Sequence, residues 1–159
     1  MTDTRVVPRA RLTIASACGI GALLLAAAVH AATFTSTPLR PGHPLFLLLH
    51  VGIFPFAGLM IWRLREWPRK SDGVLGFPKA LSPYFPPGTN RLGLVLFVYF
   101  VANFVLSLFR LPAHHAGELT PEQARAMERM FSAGWLVVYT QLTFFFLFVP
   151  ASALESPEP

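Results

Sequence analysis

Four long apolar segments, separated by polar and proline-rich stretches, dominate the chain. They cover residues 12–32, 44–64, 92–111 and 131–149. Each is about 20 residues long, the length that an α-helix needs to cross the hydrocarbon core of a bilayer. The pattern predicts an all-α membrane protein with four transmembrane helices in an antiparallel bundle. The remaining residues are too few and too polar for a soluble core, so we expect a single transmembrane domain over residues 1–159.

Local signals refine the fourth segment. Thr120, Pro121 and Gln123 have the spacing of an N-cap, a proline in the first turn and a capping-box partner. We therefore expect one helix over residues 121–149, whose first turns stand above the bilayer, including Glu128. Pro150 should end it, because proline cannot continue a helix.

The composition supports a membrane protein. Hydrophobic residues make up 53% of the chain and charged residues 13%, with a mean hydropathy of +0.52, whereas about 25% of residues are charged in soluble domains. The single cysteine excludes an internal disulfide and a cysteine-rich metal site. No predicted span contains Asp or Glu, which argues against a proton-coupled antiporter. Motifs of the common hydrolases and nucleotide-binding proteins are absent from the sequence, so we do not expect an enzyme.

The distribution of Lys and Arg predicts the orientation. Nine lie before the first span or around the proline-rich loop 65–91, and four lie around the other two connections. Because basic residues favour the cytoplasmic side, we expect both termini and this loop in the cytoplasm, and the protein in a bacterial inner membrane. The basic residues behind the pI of about 10.1 are then explained by membrane insertion and by contact with anionic lipid. They imply no nucleic-acid partner.

The N-terminus has a second interpretation, a cleaved signal peptide. Arg5, Arg9 and Arg11 would form its basic region, and Val29-His30-Ala31 its cleavage site. The apolar stretch is longer than the usual signal peptide core of about 7–15 residues, so four spans are the preferred interpretation.

Two features suggest surfaces for interaction. The third span carries a polar stripe on one helical face, formed by Asn103, Ser107, Arg110 and His114. Equal depth in the bilayer pairs Asn103 with residues 139–141 of the fourth span and Ser107 with Trp135, so the stripe is expected to contact another helix. In the loop, the aromatic side chains of Phe77, Tyr84 and Phe85 are expected in the headgroup region or against a partner protein.

The five histidines all fall on the outer half in this topology. His50 lies inside the second span and His30 near the end of the first, in the same leaflet. Facing histidines can ligate haem b, so a haem-carrying electron-transfer subunit is an alternative, with His50 as one ligand and His30 or His114 as the other. The leading interpretation needs no cofactor.

The sequence thus supports three hypotheses for function. The leading one is a small inner-membrane protein that binds another membrane protein, either as an accessory or assembly subunit or as an immunity-type protein against a membrane-targeted toxin. The haem subunit is the second. The third is a small channel or carrier that self-associates to form a path along the polar stripe.

Overall fold

The computed structural model of the chain describes residues 13–35, 43–64, 81–110 and 119–150. Over these residues the structure is helical without strands, with four long helices: α1 (Ile14–Ala32), α2 (Pro44–Leu64), α3 (Thr89–Arg110) and α4 (Pro121–Phe148). A 3₁₀ turn, Ser82–Tyr84, precedes α3. All four helices are long and apolar enough to cross a membrane, which confirms the predicted number of candidate spans.

Both ends of α4 follow from the local sequence. The Thr120 hydroxyl accepts a hydrogen bond from the backbone N–H of Gln123 at 3.3 Å, and the Gln123 side chain accepts one from the N–H of Thr120 at 3.0 Å. Pro121 occupies the first turn, where its missing N–H costs no helical bond. The last helical N–H bond is donated by Val149, next to Pro150. The prediction of one long fourth helix is therefore confirmed.

α4 is the central helix of the described bundle. Half (50%) of its most apolar 18-residue window is buried inside the protein, against 6% for α2 and for α3. α1 lies along α4 from Gly19, which is beside Thr143, to His30, which is beside Ser132. A Cβ atom added to Gly19 would come within 3.0 Å of the Thr143 hydroxyl oxygen, so the two backbones approach closely because this residue has no side chain.

α3 packs on a different face of α4, in a register that the sequence analysis did not predict. Ser107 donates a hydrogen bond to the sulfur of Met130 at 3.1 Å, whereas equal depth placed it opposite Trp135. The predicted register is wrong by more than one helical turn. The predicted pairing of Asn103 with residues 139–141 is therefore wrong as well. Equal depth was counted from the ends of the apolar segments, whereas side-chain packing sets the observed register, in which Gly93 lies beside Gln141 and Gly134 beside Phe100.

Two buried apolar clusters lie at different levels of the bundle. The first consists of Ala26, Val29, Leu49, Trp135 and Tyr139. The second consists of Leu81, Phe145, Phe146 and Val149. α2 joins the first cluster through the Tyr139 hydroxyl, which donates to the backbone carbonyl of Leu49 at 2.6 Å. In lipid such packing contacts and hydrogen bonds, rather than exclusion of water, hold helices together.

Candidate functional site

His30 lies at the junction of three helices. Its Nδ1 is 2.7 Å from the hydroxyl oxygen of Ser132 on α4, and its Nε2 is 2.8 Å from the hydroxyl oxygen of Tyr99 on α3. The side chain is buried, and an imidazole without partners would be costly there. The two hydroxyl groups explain how an apolar helix accommodates this histidine.

The directions of these hydrogen bonds follow from Ser132. Its hydroxyl donates to the backbone carbonyl of Glu128 at 2.6 Å, so its oxygen is left to accept the proton of His30 Nδ1–H. Nε2 is then the unprotonated nitrogen and accepts a bond from the Tyr99 hydroxyl. This assignment, made from the network, gives a neutral imidazole that ties α1, α3 and α4 together.

Arg129 adds a second link between the end of α1 and α4. Its guanidinium donates to the backbone carbonyl of Thr33 at 3.3 Å and lies 4.5 Å from the centre of the Phe34 ring. The Thr33 hydroxyl donates to the carbonyl of His30 at 2.7 Å. A cation at the C-terminal end of a helix is favourable because the last carbonyl groups point toward it. We call His30, Tyr99, Ser132 and Arg129 the polar junction.

His50 lies apart from the polar junction. It is exposed on α2, and its ring is 6.3 Å from that of Phe131 and 6.4 Å from that of Trp135, centre to centre. Ligation of a haem iron by His30 would require the loss of one of its two hydrogen bonds. The arrangement therefore lends no support to His30 and His50 as a ligand pair. Within the four described ranges, no three His, Cys, Asp or Glu side chains come together as a metal site.

The Asn103 and Ser107 side chains of the polar stripe find hydrogen-bond partners on α3 and on the adjacent part of α4. The Asn103 side-chain amide donates to the backbone carbonyl of Tyr99 at 2.9 Å, so it does not reach residues 139–141. Ser107 is fully buried against Met130. Arg110 is exposed and lines a polar cavity of about 390 Å³. Ser107 is buried, and the Asn103 amide bonds within its own helix. Both features indicate helix packing rather than the wall of a water-filled path.

The aromatic residues of the loop 65–91 have a packing role where the structure describes them. Tyr84 and Phe85 are half-buried against the cluster that contains Phe145 and Phe146. They pack in part on the protein itself, and their expected location in the headgroup region or against a partner stays a prediction. Phe77 and His114 lie outside the described residues.

An apolar groove lies between α2 and α3 and exposes part of α4. We call it the lateral groove; its volume is about 480 Å³. It is lined by His50 and Ile53 of α2, by Phe97, Phe100 and Phe104 of α3, and by Met130, Phe131, Gly134, Trp135, Val137 and Val138 of α4. The central helix is thus covered by α1 on one side and accessible between α2 and α3 on another.

A second cavity lies between α2 and the early turns of α4. Its volume is about 340 Å³, and its walls include Phe46, His50, Phe131 and Trp135. Glu128 also lines it and is only 3% exposed. Its Oε2 atom is buried and has no hydrogen-bond partner among the residues that the structure describes. We call this space the Glu128 cavity. Glu128 is thus buried within the bundle, and its expected position above the bilayer stays a prediction.

Sequence reasoning missed Tyr99 and the burial of Glu128. A signal for Tyr99 was present, since it precedes Asn103 by four residues and extends the polar stripe by one turn. Glu128 had no such signal. Its burial results from tertiary packing, which no local segment specifies.

A comparison with protein-family models, curated proteins and solved structures finds no match for this chain. Its function must therefore be argued from the arrangement of its own residues.

Proposed function

We propose that this protein is a multi-pass membrane protein that acts by binding another integral membrane protein, and that a transmembrane helix of the partner occupies the lateral groove. The observation that carries the proposal is the incomplete cover of α4 between α2 and α3. An elongated groove between two helices has the shape into which a further helix packs.

The surfaces beside the groove support a protein occupant. Phe97 and Phe104 are 52% and 42% exposed, although they lie beside the central helix. Aromatic side chains with few rotatable bonds are frequent anchors of interfaces, because they bury a large area at a small cost in conformational entropy. The polar junction on the other side keeps α1, α3 and α4 in place, so the groove is supported by a rigid element.

The cellular setting is part of the same proposal. The excess of Lys and Arg before α1 and around the loop 65–91 supports a bacterial inner membrane with both termini in the cytoplasm. An accessory or assembly subunit and an immunity-type protein against a membrane-targeted toxin both use this kind of recognition. The identity of the bound protein separates these two roles.

Site-specific photocrosslinking tests the proposal. Benzoylphenylalanine is introduced at Phe97 or Phe104 in the groove, and at Phe109 as the matched control. Phe109 lies on the same helix and is 83% exposed, but it does not line the groove. We expect a discrete crosslinked protein from both groove positions and none from Phe109, with the crosslinked peptide mapping to a transmembrane segment of the partner.

The same experiment can overturn the proposal. If all three positions crosslink only to lipid, the groove is an ordinary lipid-facing surface. A crosslink to a second copy of this chain would replace the partner with self-association. The haem and channel hypotheses have no comparable observation among the described residues, and we do not advance them further.

A further inference from the structure

The Glu128 cavity combines an apolar interior with one buried carboxyl group. Glu128 lines it from α4, close to the boundary between the early turns and the apolar part of that helix. The side chain is only 3% exposed, and no described residue forms a hydrogen bond with its Oε2 atom. The carboxyl group has therefore lost contacts with water that the protein does not fully replace. A buried carboxylate is costly unless a cation or donor compensates it.

Aromatic side chains form part of the other walls. Phe46 and Trp135 form an edge-to-face pair with ring centres 5.1 Å apart, and Phe131 lies nearby on α4. Aromatic faces attract cations through their quadrupole, and the attraction is larger where water is excluded. Together with a carboxylate, they match the chemistry of an organic ammonium group with an apolar body.

The charges of the protein itself do not fill this role. Arg125 interacts electrostatically with Glu128. However, no Lys or Arg nitrogen of the described residues lies within ion-pair distance of the Glu128 carboxylate, and the Nε atom of Arg125 is itself buried without a partner there. Arg125 is also absent from the residues that line the cavity. The guanidinium therefore does not fill the cavity beside Glu128.

From this arrangement we propose that the Glu128 cavity binds a lipophilic organic cation. Its ammonium group lies against Glu128, and its apolar body packs against Phe46 and Trp135. The volume of about 340 Å³ accommodates a small organic ligand. The cavity shares His50, Phe131 and Trp135 with the lateral groove, whereas Phe46 and Glu128 line the cavity alone. Binding is tested on the isolated protein.

Binding can be measured through Trp135, which forms part of the wall. The chain contains three tryptophans, so Trp62→Phe and Trp67→Phe leave Trp135 as the reporter. The probe is benzyltrimethylammonium, and its neutral isostere neopentylbenzene has the same shape without the charge. In detergent at pH 8, we expect saturable quenching by the cation and binding of the isostere that is weaker by about tenfold or more.

Three variants sharpen the test. Glu128→Gln preserves the size of the side chain, and we expect it to weaken the binding of the cation by about tenfold or more without changing that of the isostere. Arg125→Gln should strengthen the binding of the cation, because it removes a repelling charge. Glu122→Gln is the control, since Glu122 is exposed one and a half turns earlier and does not line the cavity.

Equal affinity for the cation and its isostere would overturn the proposal, as would unchanged binding of the cation in Glu128→Gln. If that variant does not fold, the preference of the unmodified site for the charged probe and the opposite effect of Arg125→Gln still decide the question. Failure here leaves the crosslinking result at Phe97 and Phe104 unaffected, because neither residue lines this cavity.

Discussion

The two sides of α4 are built on different principles. Toward α1, small residues bring the backbones together, and the polar junction adds hydrogen bonds through His30. α2 and α3 also contact α4, through the bond from Tyr139 to Leu49 and through Phe100 beside Gly134. Between these contacts the side chains of the two helices leave the lateral groove. The same helix therefore has one side committed to its own fold and another side accessible from outside.

This contrast shows how one helix can serve both structure and recognition. In lipid, close backbone approach and interhelical hydrogen bonds are the main sources of helix association. Both occur on the side facing α1, where Ser132 and Thr143 contact it. His50 and Phe97 are exposed in the groove and provide neither, so changes at these two positions should affect stability little. The following predictions test that difference.

The largest effect is expected from Gly19→Leu. A side chain at this position would collide with Thr143, whose hydroxyl oxygen is 3.0 Å and Cα atom 3.4 Å from the added Cβ. We expect the free energy of unfolding in detergent to fall by about 3 kcal/mol, the upper part of the usual range for overpacking. Gly21→Leu is the matched control, since nothing lies within 4 Å of its added Cβ. Equal destabilisation by both variants would show that α1 does not pack on α4 through Gly19.

A smaller effect is expected from His30→Leu. The substitution leaves the hydroxyl groups of Tyr99 and Ser132 without their imidazole partner. We expect a loss of about 1–2 kcal/mol, in line with interhelical hydrogen bonds in membranes. The same change at His50, which is exposed at the groove, should leave the unfolding midpoint unchanged.

A double-mutant cycle can confirm the origin of the His30 effect. If the polar junction links the helices, His30→Leu and Tyr99→Phe should be non-additive, with a coupling of about 0.6–1.7 kcal/mol. Additive losses would mean that the 2.8 Å contact between these side chains contributes nothing measurable.

The smallest effect is expected from Asn103→Leu. Among the residues that the structure describes, the amide bonds to the carbonyl of Tyr99 within its own helix, so its replacement removes no link between these helices. We expect a change in unfolding free energy within about 0.5 kcal/mol, measured in the same detergent. A drop as large as that of His30→Leu would restore the original prediction of an interhelical contact with residues 139–141.

Some contacts of the bundle can be predicted from the sequence, and others cannot. The Thr120–Gln123 capping box was predictable because its donors and acceptors lie within four residues. The contact of Ser107 with Met130 was not predictable, because it depends on the register in which α3 and α4 pack. A polar residue in an apolar span shows that a protein partner is needed, but it does not show which helix provides it.

The four helices and most of their ends can be predicted from the amino-acid sequence alone. About 20 apolar residues in a row can satisfy their backbone groups in lipid only as a helix, and the flanking Thr and Pro residues set where α4 begins and stops. Which residues meet was decided only by the tertiary structure. His30, Tyr99 and Ser132 converge, and Glu128 becomes enclosed, because the rotation and register of apolar helices depend on packing along their whole length. No short segment of the sequence contains that information.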